Sequence, residues 1–189
     1  MVHVPYLNSH PEWSNFTSRL NKTYYSKMKP AKNEIFMQKT SQLSPCRSYR
    51  YTLDRIWDTT KSSILFILFN PSTADETHDD PTLRRCIHFA QSWGYGALRI
   101  VNLYSLRTSN PKTLHAHPLP KGPDHDLYFQ QSLLSHQDIL CAWGLKGGPI
   151  SCHFRPESHR IFHLGINKDG SPKHPLYLPA RSQKIPWKA

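Results

Sequence analysis

The run Ile64-Leu65-Phe66-Ile67-Leu68-Phe69, broken at once by Asn70-Pro71, constrains the fold more than any other stretch. Six apolar residues are strand-sized and far short of the ~20 needed to span a bilayer. With no alternation, the run predicts a strand covered on both faces. Its neighbours fit a sheet. Tyr49, Tyr51 and Leu53 alternate with Arg50, Thr52 and Asp54, the pattern of a strand with one wet face. Asp80-Pro81 starts a helix, Asp as N-cap and Pro in the first turn, and Leu83, Ile87, Ala90 and Trp93 recur at helical spacing before Gly94 and Gly96. Residues 98–104 read as a second core strand with Asn102 near its end. Asp124 caps a helix running to His136, with Leu127, Gln131 and Leu134 on one side. Ile139–Trp143 and Arg160–Leu164 supply two more strands, while 108–123 and 166–187 read as Pro-rich loops. This order predicts an α/β fold: a three-layer α/β/α domain at 47–189 on a mainly parallel central sheet of about four strands. Residues 1–46, with scattered aromatics and no periodicity, read as a basic N-terminal extension.

Charge points to a polyanionic partner. The chain of 189 residues carries 24 Lys+Arg against 13 Asp+Glu, a net +11 with His neutral. Residues 48–140 hold nine of each sign, so the excess lies at the two ends of the chain. Nucleic acid, double- or single-stranded DNA, is the first expectation. The chain has no secretory pattern and no spanning segment, which predicts a cytoplasmic protein without a membrane partner, read here as a monomer. Cys46, Cys86, Cys141 and Cys152 show no CxxC spacing, and Cys86 and Cys141 read as buried free thiols. His115 with His117, and His153 with His159, lack a completing ligand, so neither a metal nor a cofactor is expected. No P-loop, dinucleotide glycine motif or nucleophile elbow is present.

Ligands bind beyond the carboxyl ends of strands in such sheets. That rule selects Asn70, Asn102, Trp143-Gly144 and the loop around His174. Asn70-Pro71 is also an ordinary turn. It gains weight from the strand that delivers it and from Ser72 and the carboxylates that follow. Asp75, Asp79 and Asp80 are candidates for a general base or a cation site, with Asp80 assigned first to the helix cap. Asn102 either satisfies neighbouring backbone or reads a base edge. His174, between Lys173 and Pro175, is placed to meet an anion.

The segments NPSTA at 70–74, DDPTLRRC at 79–86, WGYG at 93–96, CAWG at 141–144 and HPLYLP at 174–179 resemble an uncharacterised bacterial and phage family, a domain of unknown function, across roughly 47–187. More distantly, the order of elements resembles the uracil-DNA glycosylase superfamily. In that family a water-positioning Asp or Asn follows the first core strand, a base-reading Asn ends the second, and a His-Pro loop with a Leu four residues after the His follows the last. Asn70, Asn102, His174 and Leu178 hold those places here. Two departures stand out: Leu176 replaces the usual Ser, and Leu83 lies where the base-stacking aromatic is expected, leaving Tyr104, Trp143 or Tyr177 as substitutes.

The resemblance implies a uracil-DNA-glycosylase-like fold. It also implies a DNA N-glycosylase that flips a modified or mismatched pyrimidine out of the stack and hydrolyses its glycosidic bond without metal or cofactor. Asn70, aided by Asp75, orients water, and His174 stabilises the leaving base. Asn102, Ser72, Trp143 and Tyr104 hold that base. Leu178 fills the vacated space, while Tyr177, Lys173, Arg181, Lys184, Arg84 and Arg85 meet the DNA. The alternatives are a non-catalytic nucleic-acid-binding protein on the same fold, or a hydrolase of free modified nucleotides.

Overall fold

In a computed structural model of the protein, residues 37–152 and 160–188 are described. Most of the basic extension, residues 1–36, and the His153 and His159 pair lie outside the described residues. The strands are β1 (Gln38–Leu43), β2 (Arg50–Ile56), β3 (Ser63–Leu68), β4 (Ala97–Asn102), β5 (Asp138–Cys141), β6 (Arg160–His163) and β7 (Ile185–Pro186). The helices are α1 (Pro81–Ser92), α2 (Pro111–Ala116) and α3 (His125–Leu134).

The strands form one sheet in the order β1-β2-β4-β3-β5-β6-β7. The pairs β4–β3, β3–β5 and β5–β6 are parallel, whereas β1–β2, β2–β4 and β6–β7 are antiparallel. The expectation of a three-layer α/β/α domain on a mainly parallel sheet of about four strands, uracil-DNA-glycosylase-like, is thereby corrected. Among the described residues the sheet has seven strands of mixed direction and only three helices accompany it. The difference arises at the margins. β1 is the polar stretch QKTSQL, which carries no apolar alternation and lies inside the segment read as an extension. β7 is two residues of a Pro-rich tail, and α2 interrupts the loop 108–123.

The central run behaves as its composition demands. Ile64, Leu65, Phe66 and Ile67 are all fully buried. Ile64 and Phe66 pack with Leu83, Cys86 and Phe89 of α1, and Leu65 and Ile67 pack with Phe129 and Leu133 near α3. Asp80 caps α1 by accepting a hydrogen bond from the Leu83 N–H at 2.8 Å, with Pro81 next in line. Two expectations fail. Leu127 and Leu134 of α3 are exposed, and the fully described buried positions of that helix are His125 and Ser132. The wet face of β2 is not wet: Arg50 and Thr52 are buried along with Arg55.

Burial of histidines makes the fold acid-sensitive. The pKa of His125 is pushed down to about 4, chiefly by desolvation and secondarily by Lys121, against the pull of Asp126. Burial also lowers His136 and His163. The unfolded chain takes up these protons near pH ~6.5 while the folded chain does not, so stability is full above that value and declines as pH falls toward 4. Urea midpoints are expected to drop between pH 7 and pH 5. His125→Gln, which keeps a polar partner for the Ser105 hydroxyl now 2.7 Å from Nδ1, should flatten part of that drop.

Candidate functional site

A cavity of about 330 Å³ opens at the carboxyl edge of the parallel strands. The chain after β3 brings Asn70 and Ser72 to its wall, the start of α1 brings Asp80 and Thr82, the start of β2 brings Arg50, and the loop after β6 brings His174 and Tyr177. The volume lies at the low end of small-molecule sites.

Asn70 is held in one orientation. Its side-chain NH2 donates to the Pro71 carbonyl at 3.0 Å and the Thr108 carbonyl at 2.6 Å. Two carbonyl neighbours fix which end of the amide is nitrogen, so Oδ1 is left as the acceptor end. His174 is fixed in the complementary sense. It precedes the short 3-10 turn Pro175–Tyr177, and its Nδ1 accepts the Leu176 N–H at 3.3 Å. A ring that accepts through Nδ1 carries its proton on Nε2 when neutral. Burial lowers the His174 pKa, with the Asp80 charge acting in the opposite sense, so the neutral donor form is favoured. Asp80 thus both caps α1 and contributes a carboxylate to the cavity.

Arg50 was unforeseen because alternation pointed it outward. It is 4% exposed; Nη1 donates to the Ala74 carbonyl at 2.6 Å and Nη2 to Asn102 Oδ1 at 3.4 Å. Burial pulls its pKa down to about 10, still well above neutrality, with Asp80 opposing the shift. Asn102, the last residue of β4, is 2% exposed and stands behind Arg50. It does not line the cavity wall.

An adjoining cleft of about 440 Å³ is lined by Trp143, Lys173 and Leu178, and shares Lys146, His174 and Tyr177 with the first. Trp143 is buried and donates through Nε1 to the Gly148 carbonyl at 2.7 Å. Lys146 also borders a third cleft, of about 300 Å³, that holds Tyr104 and His125. Tyr104 does not line the cavity of Asn70 and His174; its ring packs edge-on against Phe69, which does. Lys146 was missed by sequence reasoning, although the glycine-rich GLKGG after a core strand is a usable signal.

Other expected residues are placed elsewhere. Asp75 does not reach the cavity: Oδ1 accepts the N–H groups of Thr77 and His78, both at 2.9 Å, and the Thr77 hydroxyl at 2.8 Å. Those bonds, the Thr77 amide first, hold its carboxyl far below the ordinary range and leave it a poor base. Leu178 is half-buried against the α1 core, and its carbonyl accepts from Arg85 Nη2 at 2.6 Å. The side chain that projects is Tyr177, 82% exposed. Lys184 is committed to Asp138 at 3.5 Å and to Tyr95, near the amino ends of β5 and β4. Arg84 and Arg85 flank Leu176 in a shallow basin beside the cavity, and Arg181 is exposed.

Cys86 and Cys141 are buried free thiols whose pKa burial pushes up. Among the described residues no three His, Cys, Asp or Glu side chains gather to hold a metal ion, and no helix is long and apolar enough to cross a membrane. No curated protein and no solved structure gives a significant match to the chain. A family match covers residues 50–176, from the first residue of β2 into the His174 loop, and the chain belongs to that family, described as Protein of unknown function (DUF1643).

Proposed function

We propose that this chain is a DNA N-glycosylase that hydrolyses the glycosidic bond of a flipped-out, modified or mismatched pyrimidine. One observation carries the reading: Asn70, with its amide hydrogens tied to backbone, and His174, with its Nδ1 occupied, line the same cavity as an acceptor and a neutral donor. Breaking the bond from the sugar C1′ to the base nitrogen leaves positive charge on the sugar and negative charge on the base. Asn70 Oδ1 accepts a hydrogen bond from the attacking water, and the His174 Nε2–H donates to the departing base. The water then gives its oxygen to C1′, and its proton is released to solvent. Ser72 touches the base from the Asn70 side, while Tyr177, projecting from the His174 turn, fills the space the base vacates. Lys173, Arg84, Arg85 and Arg181 meet the phosphates of the DNA. The order of Asn70 and His174 along the chain resembles that of the water-positioning residue and the His-Pro loop in the uracil-DNA glycosylase superfamily, and this resemblance supports the reading.

The test is incubation of the protein with labelled oligonucleotides holding uracil, thymine mismatches or hypermodified pyrimidines, followed by alkali to reveal abasic sites. Asn70→Ala and His174→Ala are each expected to slow base release by about 100-fold. Because His174 acts neutral and its pKa is lowered, release should hold level as pH falls through the ordinary histidine range of about 6.5. Salt-sensitive binding with no base release from any substrate would instead identify a non-catalytic nucleic-acid-binding protein. Release from free nucleotides alone would identify a nucleotide hydrolase.

A further inference from the structure

Arg50 is the one cavity-lining cation that is almost wholly buried, and base release as described above makes no use of it. Two of its five N–H groups are engaged, one of them by the long 3.4 Å contact to Asn102, and its buried Nε has no partner. The Asn102 Nδ2 behind it is likewise buried without a partner. Among the described residues no carboxylate lies within ion-pair distance of the Arg50 guanidinium. Arg55, on the same strand and equally buried, shows the usual solution, a 2.7 Å pair with Asp79.

A buried cation with no carboxylate in direct contact is costly, and an outside partner that supplies acceptors relieves that cost. The unsatisfied atoms here are all donors. A neutral pyrimidine edge alternates donors with acceptors and answers only some of them. An oxyanion offers acceptors alone and matches a guanidinium in charge and geometry. His174 and Lys146 add donors to the same cavity, which Asp80 also lines.

We propose that Arg50, positioned by Asn102, is the receptor for a carboxylate or phosphate group of a small ligand bound in this cavity. Chemistry of that kind has two sources, a phosphate on the ligand's sugar or a carboxylate on its base. The inference does not depend on base release: an anion response without base release leaves it standing.

Thermal unfolding of the full chain tests it, at constant ionic strength with chloride replaced by inorganic phosphate, uridine 5′-monophosphate or orotate, and with uracil as the neutral control. A saturable rise in Tm of about 5 °C is expected at saturating anion, and none with uracil. A rise with the two phosphates assigns the phosphate source, and a rise with orotate alone assigns the base carboxylate. Asn102→Asp places a carboxylate against the guanidinium. It should be at least as stable as wild type without anion and should lose the anion-dependent rise. Lys112→Ser, a charge change at an exposed residue away from the cavity, should keep that rise. Arginine Nε–H resonances of the wild-type chain provide a readout that needs no folded variant: one of them must move saturably with phosphate or orotate. No Tm response and no moving resonance would overturn the proposal. So would a full response in Asn102→Asp, or its loss in Lys112→Ser.

Discussion

Arg55→Met is expected to lower the stability of the fold by about 4 kcal/mol in urea titrations, the range for removing one partner of a buried ion pair. Arg55 is fully buried on β2, between its antiparallel neighbours β1 and β4. Its Nε and Nη2 reach Asp79 Oδ1 at 3.0 and 2.7 Å, Nη1 donates to the Asp54 carbonyl at 2.8 Å, and Nη2 also donates to the Asp75 carbonyl at 2.6 Å. Methionine fills much of the stem volume but leaves those acceptors without donors. Burial would raise the Asp79 pKa, but Arg55 and Lys39 outweigh it and hold it below the ordinary value. That contribution is present above the unfolded carboxylate pKa of about 4 and is lost as pH falls through the lower folded value, so the wild-type and variant curves should converge in acid. The same variant should loosen the loop carrying Ser72 and Asp80, because Arg55 holds Asp75 and Asp79 within it.

Gly96→Ala is expected to have the next largest effect, a loss of about 3 kcal/mol. A Cβ at Gly96 would stand 1.9 Å from the Asp58 carbonyl oxygen and 2.8 Å from Lys61 Cβ. Neither can step aside cheaply. The Gly96 carbonyl accepts the N–H groups of Trp57 and Asp58, and its own N–H donates to the Ser62 carbonyl, all at 2.9 Å. Alanine must therefore push apart the turn joining β2 to β3 and the start of β4. Gly94→Ala is the control. Its φ of +85° disfavours a side chain, yet nothing lies within 4 Å of the added carbon, and a cost of only about 1 kcal/mol is expected. Equal urea midpoints for the two variants would refute the close-packing explanation.

What the sequence showed and what it hid follow from the range of the forces involved. The core strand 63–68 and the Asp80-Pro81 helix start were readable because burial on two faces and capping leave local marks. Asn70 and His174 were readable together because strand ends share an edge of the sheet. Arg50 was not, since only its distant partners Ala74 and Asn102 decide that it faces inward. Asp75 looked available until Thr77 and His78 closed a turn on it, and Leu178 looked like a wedge until α1 packed against it. β1 left no pattern at all, because one edge strand with exposed polar side chains needs none.

That edge strand has a consequence for how the protein behaves at high concentration. The outermost strands, β1 and β7, both lie outside residues 50–176, the stretch shared with the family. Stripped to that stretch, β2 and β6 would each offer a row of bare amides and carbonyls to the next molecule. β1 hides the first edge and turns outward a face of Gln, Lys, Thr and Ser, with Lys39 tethered to Asp79 at 3.0 Å. β7 hides the second with two residues, one of them a proline that cannot donate. A polar strand on one side and a proline on the other are devices against edge-to-edge aggregation. A truncation made to the family boundaries should therefore precipitate where the longer chain stays dispersed.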